Sequence, residues 1–225
     1  SSFVYWLSVW VLLSVLLCVC LSRSSIEGEG KALTGLWGYV VWGFGLPFTP
    51  FHYPVAYALY RLYKRLSLPG LIVGSMFPDF EVVAIVLLFG TQFPDRLVFH
   101  SLLGVATVGT MLSALLVVFV YPPLISGFFK IDEEKVRGKC RLSFGLVVSC
   151  FLGNLSHVLL DVINHSYNPI FWPFLQPSTT PSPICSLLGG MENASLILHT
   201  PLLIAFVAIF ISQRQNFLER LLVGE

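Results

Sequence analysis

In the segment GNLSHVLLDVINH, residues 153–165, His157, Asp161 and His165 recur at four-residue intervals. On a helix, positions i, i+4 and i+8 share one face, so the three side chains form a polar stripe among apolar residues. Imidazoles and a carboxylate one turn apart are also how a helix presents ligands to a metal ion. An ionisable group at membrane depth costs roughly 2.5–3.5 kcal/mol on insertion scales and marks a functional site by default. The competing reading is a stripe that only joins helices through hydrogen bonds.

Three further groups have matching chemistry. Pro78-Asp79-Phe80-Glu81 brings two acids to a proline. Asp79 is a candidate ligand or the cap of a restarting helix. Glu81, two residues on and so on a different face, pairs with another group or faces water. Asp79 or Glu81 is the candidate general base where it is not ligating. His100-Ser101 opens an apolar run, and His52 lies at the start of another. His165, at a helix end, is equally a ligand or a second layer behind the ligands. His199 precedes Thr200-Pro201 away from any acid and is a second-layer candidate or a bystander. Four ligands close a structural zinc site, whereas catalytic sites keep a place for water. Two acids and three or four histidines from four apolar segments, six candidates in all, suit a two-metal site of mixed His and Asp ligands, zinc first. The chain has no GxSxG elbow or nucleotide-binding glycine loop, and its five cysteines show no CxxC spacing.

These residues must be positioned by membrane helices. The 225 residues are 56% hydrophobic and 11% charged, with mean hydropathy +0.81. Soluble domains carry about 25% charged residues, so the chain reads as an integral membrane protein. It is long enough for one helical bundle and no separate soluble domain. The formal net charge of +1 provides no basic footprint for nucleic acid. The expected fold is an all-α, polytopic bundle of five or six membrane segments.

Residues 3–21 read as an anchor helix, 22–34 as a polar linker and 35–45 as an interfacial stretch, so that 1–45 precede a bundle formed by 46–225. Thr49-Pro50 suits a helix start. The segment 71–88 is broken at Pro78, whose missing N–H predicts a discontinuous helix restarting at Asp79. Residues 97–120, 144–162 and 194–211 read as uninterrupted spans. Loops 61–69 and 122–142 and the tail after 212 hold three, five and two basic residues, ten of the 13 in the chain. These loops share one side if each span crosses once, and the positive-inside rule makes that side cytoplasmic. All five histidines then fall in the opposite, outer half of the plasma membrane, with His100 in the first turn of its helix. The proline-bearing loop 167–191, with Trp172, lies on the same side as the histidines.

The motifs LPFTPFH (46–52), IVGSMFPDFE (72–81), FHSLLG (99–104) and GNLSHVLLDVINH (153–165) resemble those of the YdjM-like membrane-bound metal-dependent hydrolases. The similarity is greatest to the branch that opens on Met-Pro-Phe-Thr-Pro-x-His, and it covers roughly residues 46–215. The resemblance implies a polar constellation of His52, Asp79, His100, His157 and Asp161. The order Pro-Asp, lone His, His-x-x-x-Asp is also similar to the zinc-dependent phospholipase C and P1 nuclease group. The present chain lacks that group's N-terminal tryptophan ligand and its later His and Glu ligands. The function expected is metal-dependent hydrolysis of a phosphoester or related bond in a membrane lipid or lipid-like substrate. The rivals are a metal-ion transporter or sensor, and a structural subunit whose polar cluster holds helices together.

Overall fold

The computed structural model describes residues 51–89, 94, 96–176, 182–212 and 217–224. The anchor, linker and interfacial stretch expected within 1–45, and the Thr49-Pro50 helix start, lie outside these residues. Among those described, the regular elements are all helical.

The first helix, α1, is His52–Leu62, about 16 Å long and too short to cross a bilayer. Ser67 caps α2, Leu68–Met76, by accepting from the Gly70 N–H, and Pro69 occupies its first turn. Pro78 has no N–H to continue the ladder, and the chain restarts as α3, Asp79–Phe89. The break is thus where the proline places it. A long helix, α4, covers Leu102–Phe129 and contains two π-helical stretches, Val105–Gly109 and Leu116–Val120. A short α5, Glu133–Lys139, is capped by Asp132. Ser143 caps α6, Phe144–Asn164. The remaining elements are α7, Pro183–Leu187, α8, Met191–Ser212, and α9, Phe217–Leu222.

Four stretches are long and apolar enough to cross a membrane: Leu68–Ile85 across the proline break, Leu102–Phe129, Phe144–Asn164 and Met191–Ser212. That number applies to the described residues. Two expectations need correction. The span expected from residue 97 begins at Leu102, because the backbone of 97–99 is committed to a side chain of α3 (below) and is unavailable to a helix. The basic loop expected over 122–142 is largely helical, with α4 continuing to Phe129 and α5 following.

The most extensive packing is between α2 and α6. A Cβ at Gly74 would lie 2.4 Å from the Cys150 carbonyl oxygen, and one at Gly153 would lie 2.7 Å from the Leu71 carbonyl oxygen. Small residues therefore let the two backbones touch, which is how membrane helices associate where lipid and side chain are equally apolar. Across α4 and α6, Asn154 donates to Ser113 Oγ at 3.0 Å and to the Cys150 carbonyl at 2.9 Å. Tyr53 and Tyr121 donate their hydroxyls to the carbonyls of Leu221 and Leu222 at 2.9 and 2.8 Å, holding α9 against the bundle.

Gly74→Leu should separate α2 from α6. Overpacking of this kind costs about 1–3 kcal/mol, and more where the obstacle is backbone. A lowered thermal unfolding midpoint in detergent, with no such loss for Gly127→Leu, where a Cβ meets nothing within 4 Å, is the expected result.

Candidate metal centre

The centre is assembled from the ends of four elements. His157 and Asp161 lie one turn apart on the C-terminal half of α6, and both are buried. Asp79 opens α3 immediately after the proline break. His52 opens α1. His100 is fully buried and precedes the cap residue Ser101 of α4, so it stands before the helix rather than in its first turn as expected.

The two central imidazoles are oriented from behind. His157 Nδ1 lies 2.8 Å from the Ser75 carbonyl oxygen, an acceptor only, so Nδ1 carries the proton and Nε2 presents its lone pair. His100 Nδ1 lies 2.9 Å from Glu81 Oε2, which likewise directs its Nε2 forward. A carbonyl or carboxylate behind the imidazole is the support that metal-ligating histidines receive. The ring of His52 stacks on that of His157 at 4.2 Å. Burial first, and the His157 ring second, hold His52 well below its ordinary pKa and so in the neutral, ligating form.

In front of these rings are two carboxylates at an informative spacing. His157 Nε2 is 3.5 Å from Asp79 Oδ1 and 3.6 Å from Asp161 Oδ2, and His100 Nε2 is 3.5 Å from Asp161 Oδ2. These separations are long for hydrogen bonds. They are close to the ~3.3 Å between donor atoms around a tetrahedral ion with bonds of about 2.0–2.1 Å. His52 Nδ1, His100 Nε2 and His157 Nε2 are buried and have no hydrogen-bond partner. Orphaned buried nitrogens are costly, and three at one place call for a common partner. Two sets of donor atoms, His52/Asp79/His157 and His100/His157/Asp161, each lie within 4.8 Å of one another. His157 belongs to both and has one lone pair to give, so the sets overlap and are not independent centres.

Charge supports the same partner. Among the described residues, the carboxylates of Asp79, Glu81 and Asp161 gather in a largely buried cluster with the guanidinium of Arg96. A cation held among them would add to the pairing, and buried charge is tolerated only when paired or ligating. The residues present therefore fit a divalent ion with mixed nitrogen and oxygen ligands.

Two residues have roles that the sequence did not disclose. Glu81 is buried and accepts the backbone N–H groups of Leu97, Val98 and Phe99 at 3.0, 2.6 and 3.1 Å, besides contacting His100. Both its oxygens are engaged, which makes it the group that shapes the 97–100 turn and aims His100. Arg96 places Nε 3.2 Å from Asp161 Oδ2 and a terminal nitrogen 3.1 Å from His165 Nε2. His165 Nε2 is also 3.5 Å from Asp161 Oδ1. His199 belongs to neither donor set and stacks on Phe51 at 4.4 Å. The described cysteines are buried, and burial pushes the Cys140 thiol up to about 12, unsuited to nucleophilic work.

Glu81→Gln replaces an acceptor oxygen with a donor facing backbone N–H groups, and each buried group left unpaired costs about 1–3 kcal/mol. The variant should lose thermal stability and bind zinc about 10–100-fold more weakly, the usual cost of disturbing a ligand's support. Zinc titration against a chromophoric chelator reads the second effect.

No curated protein and no solved structure matches the chain. The family described as YdjM inner membrane protein matches residues 35–222, most of the chain and every residue of the centre. Together with its apolar spanning helices, this makes the chain an integral membrane protein belonging to the YdjM inner membrane protein family.

Proposed function

We propose that the protein is a membrane-embedded, divalent-metal-dependent hydrolase, acting on a phosphoester or related bond of a lipid-like substrate from the outer half of the membrane. The observation that carries this reading is the convergence of three buried, partnerless imidazole nitrogens on the carboxylates of Asp79 and Asp161. His157 is the central ligand, with His52, His100, Asp79 and Asp161 supplying the remaining donors. Zinc suits this nitrogen-rich set. When bound, such an ion supplies Lewis-acid polarisation of a phosphoryl oxygen and lowers the pKa of water toward neutrality.

The chain's own residues supply the rest. Where it is not ligating, Asp79, at the lip of the proline break, is the carboxylate suited to accept a proton from attacking water, since Glu81 is engaged by backbone. Arg96 is oriented by Asp161 and His165, and a planar guanidinium is matched to phosphoryl oxygens. Depth in the bilayer favours an amphiphile arriving sideways over a soluble metabolite.

A metal-ion transporter is the second reading, favoured by the discontinuous α2–α3 pair, because broken helices also build transport sites. Purified protein should contain stoichiometric divalent metal by elemental analysis, and His157→Ala should lose it. Wild type without bound metal sinks both readings. Chelator-sensitive release of phosphorylated product from a lipid phosphoester supports the enzyme, with Arg96→Ala raising KM. Zinc flux into proteoliposomes without turnover supports the transporter.

A further inference from the structure

The opposite end of the bundle holds a second feature with chemistry of its own. Gly145, in the first turn of α6, stands sixteen residues before Asp161, about 24 Å along the helix axis. Around it is a cavity of about 350 Å³ lined by Lys64, Arg65, Lys139 and Arg141, together with the cap residues Ser67 and Ser143. The walls come from the turn after α1, from the α5–α6 connection, and from Val223 and Gly224 after α9. The three basic segments separated in the sequence thus meet at one place.

Among the described residues, the cavity's charge meets no acidic partner: its lining contains no Asp or Glu, and none of the four cations is in an ion pair. The adjacent Lys135 and Arg137 differ, being paired with Glu219 at 2.6 Å and Glu133 at 2.5 Å. Lys64 rests its ammonium 4.1 Å from the Tyr60 ring, and Tyr60 donates its hydroxyl to the Gly224 carbonyl, so one wall is tied to the chain's C-terminal segment. Glycine keeps the space open. A Cβ at Gly145 would lie 3.2 Å from the Arg65 carbonyl oxygen, and one at Gly138 would project into open space. Helices α2 and α6 both begin at the cavity, and their dipoles add to its positive potential.

Lys64, Arg65, Lys139 and Arg141 are exposed to water, and four like charges around one hollow make a positive potential that attracts an anion. The hollow lies where α2 and α6 begin, both part of stretches apolar enough to cross a membrane, and basic pockets between membrane helices suit the phosphates of acidic lipids. We propose that this cavity is a binding site for the phosphate headgroup of an anionic phospholipid, separate from the metal centre.

The test uses the full chain in neutral detergent, titrated with phosphatidylglycerol or phosphatidylcholine, with bound lipid counted by native mass spectrometry. Wild type should retain phosphatidylglycerol about tenfold better than phosphatidylcholine, and joint replacement of Lys64, Arg65, Lys139 and Arg141 by Gln should abolish the preference. Should that protein fail to fold, Arg65→Gln with Arg141→Gln should still remove most of it. Lys130→Gln with Arg137→Gln, outside the lining, should leave it intact. No preference in wild type, persistence in both cavity variants, or equal loss in the Lys130/Arg137 protein overturns the proposal. Saturable binding of inorganic phosphate by calorimetry, without any lipid preference, overturns the lipid assignment.

Discussion

The direct contact between the backbones of α2 and α6 governs everything built above it. Gly74 and Gly153 have no Cβ to hold the helices apart, so the Ser75 carbonyl comes within 2.8 Å of His157 Nδ1. That one bond decides which imidazole nitrogen keeps its proton and where the other points. A separation larger by a single methyl group would leave the ring free to rotate, and the donor set around it would have no centre. Helix packing and imidazole orientation are here the same constraint.

A second support comes from Glu81. A carboxylate can accept several backbone N–H groups at once, and here it draws residues 97–99 into a turn around itself. Ser101 then caps α4, and His100 is left on the inner side of the turn with its Nδ1 held. The start of α4 is displaced from residue 97 to Leu102 in consequence. Gly104 belongs to the same device, since a Cβ there would lie 1.7 Å from the Val98 carbonyl oxygen. The turn is therefore closed from both directions.

The bundle is polarised from end to end. Acids, imidazoles and Arg96 gather where α6 ends, while unpaired Lys and Arg side chains gather where it begins. The long middle of the fold is apolar, and much of α8 is exposed on the molecule's flank in a manner suited to lipid contact. Each end thus has an electrostatic character of its own, separated by low-dielectric material in which an unpaired charge is costly.

Membrane embedding, the helical class, the break at Pro78-Asp79 and the polar residues on apolar spans were all legible in the amino-acid order. Each follows from local chemistry: hydropathy over a bilayer's length, a missing N–H, a four-residue period. Read from the residues alone, His157 and Asp161 share a helix face, and the motif resemblance adds His52, Asp79 and His100 to them. Tertiary structure decided the rest. It made Glu81 a support for the 97–100 turn, brought Arg96 to Asp161 across 65 positions, left His199 outside both donor sets, and joined three basic segments around one hollow. Local pattern could not reveal these pairings, because they depend on how closely helices approach, and at α2 and α6 that distance is set by the absence of a side chain.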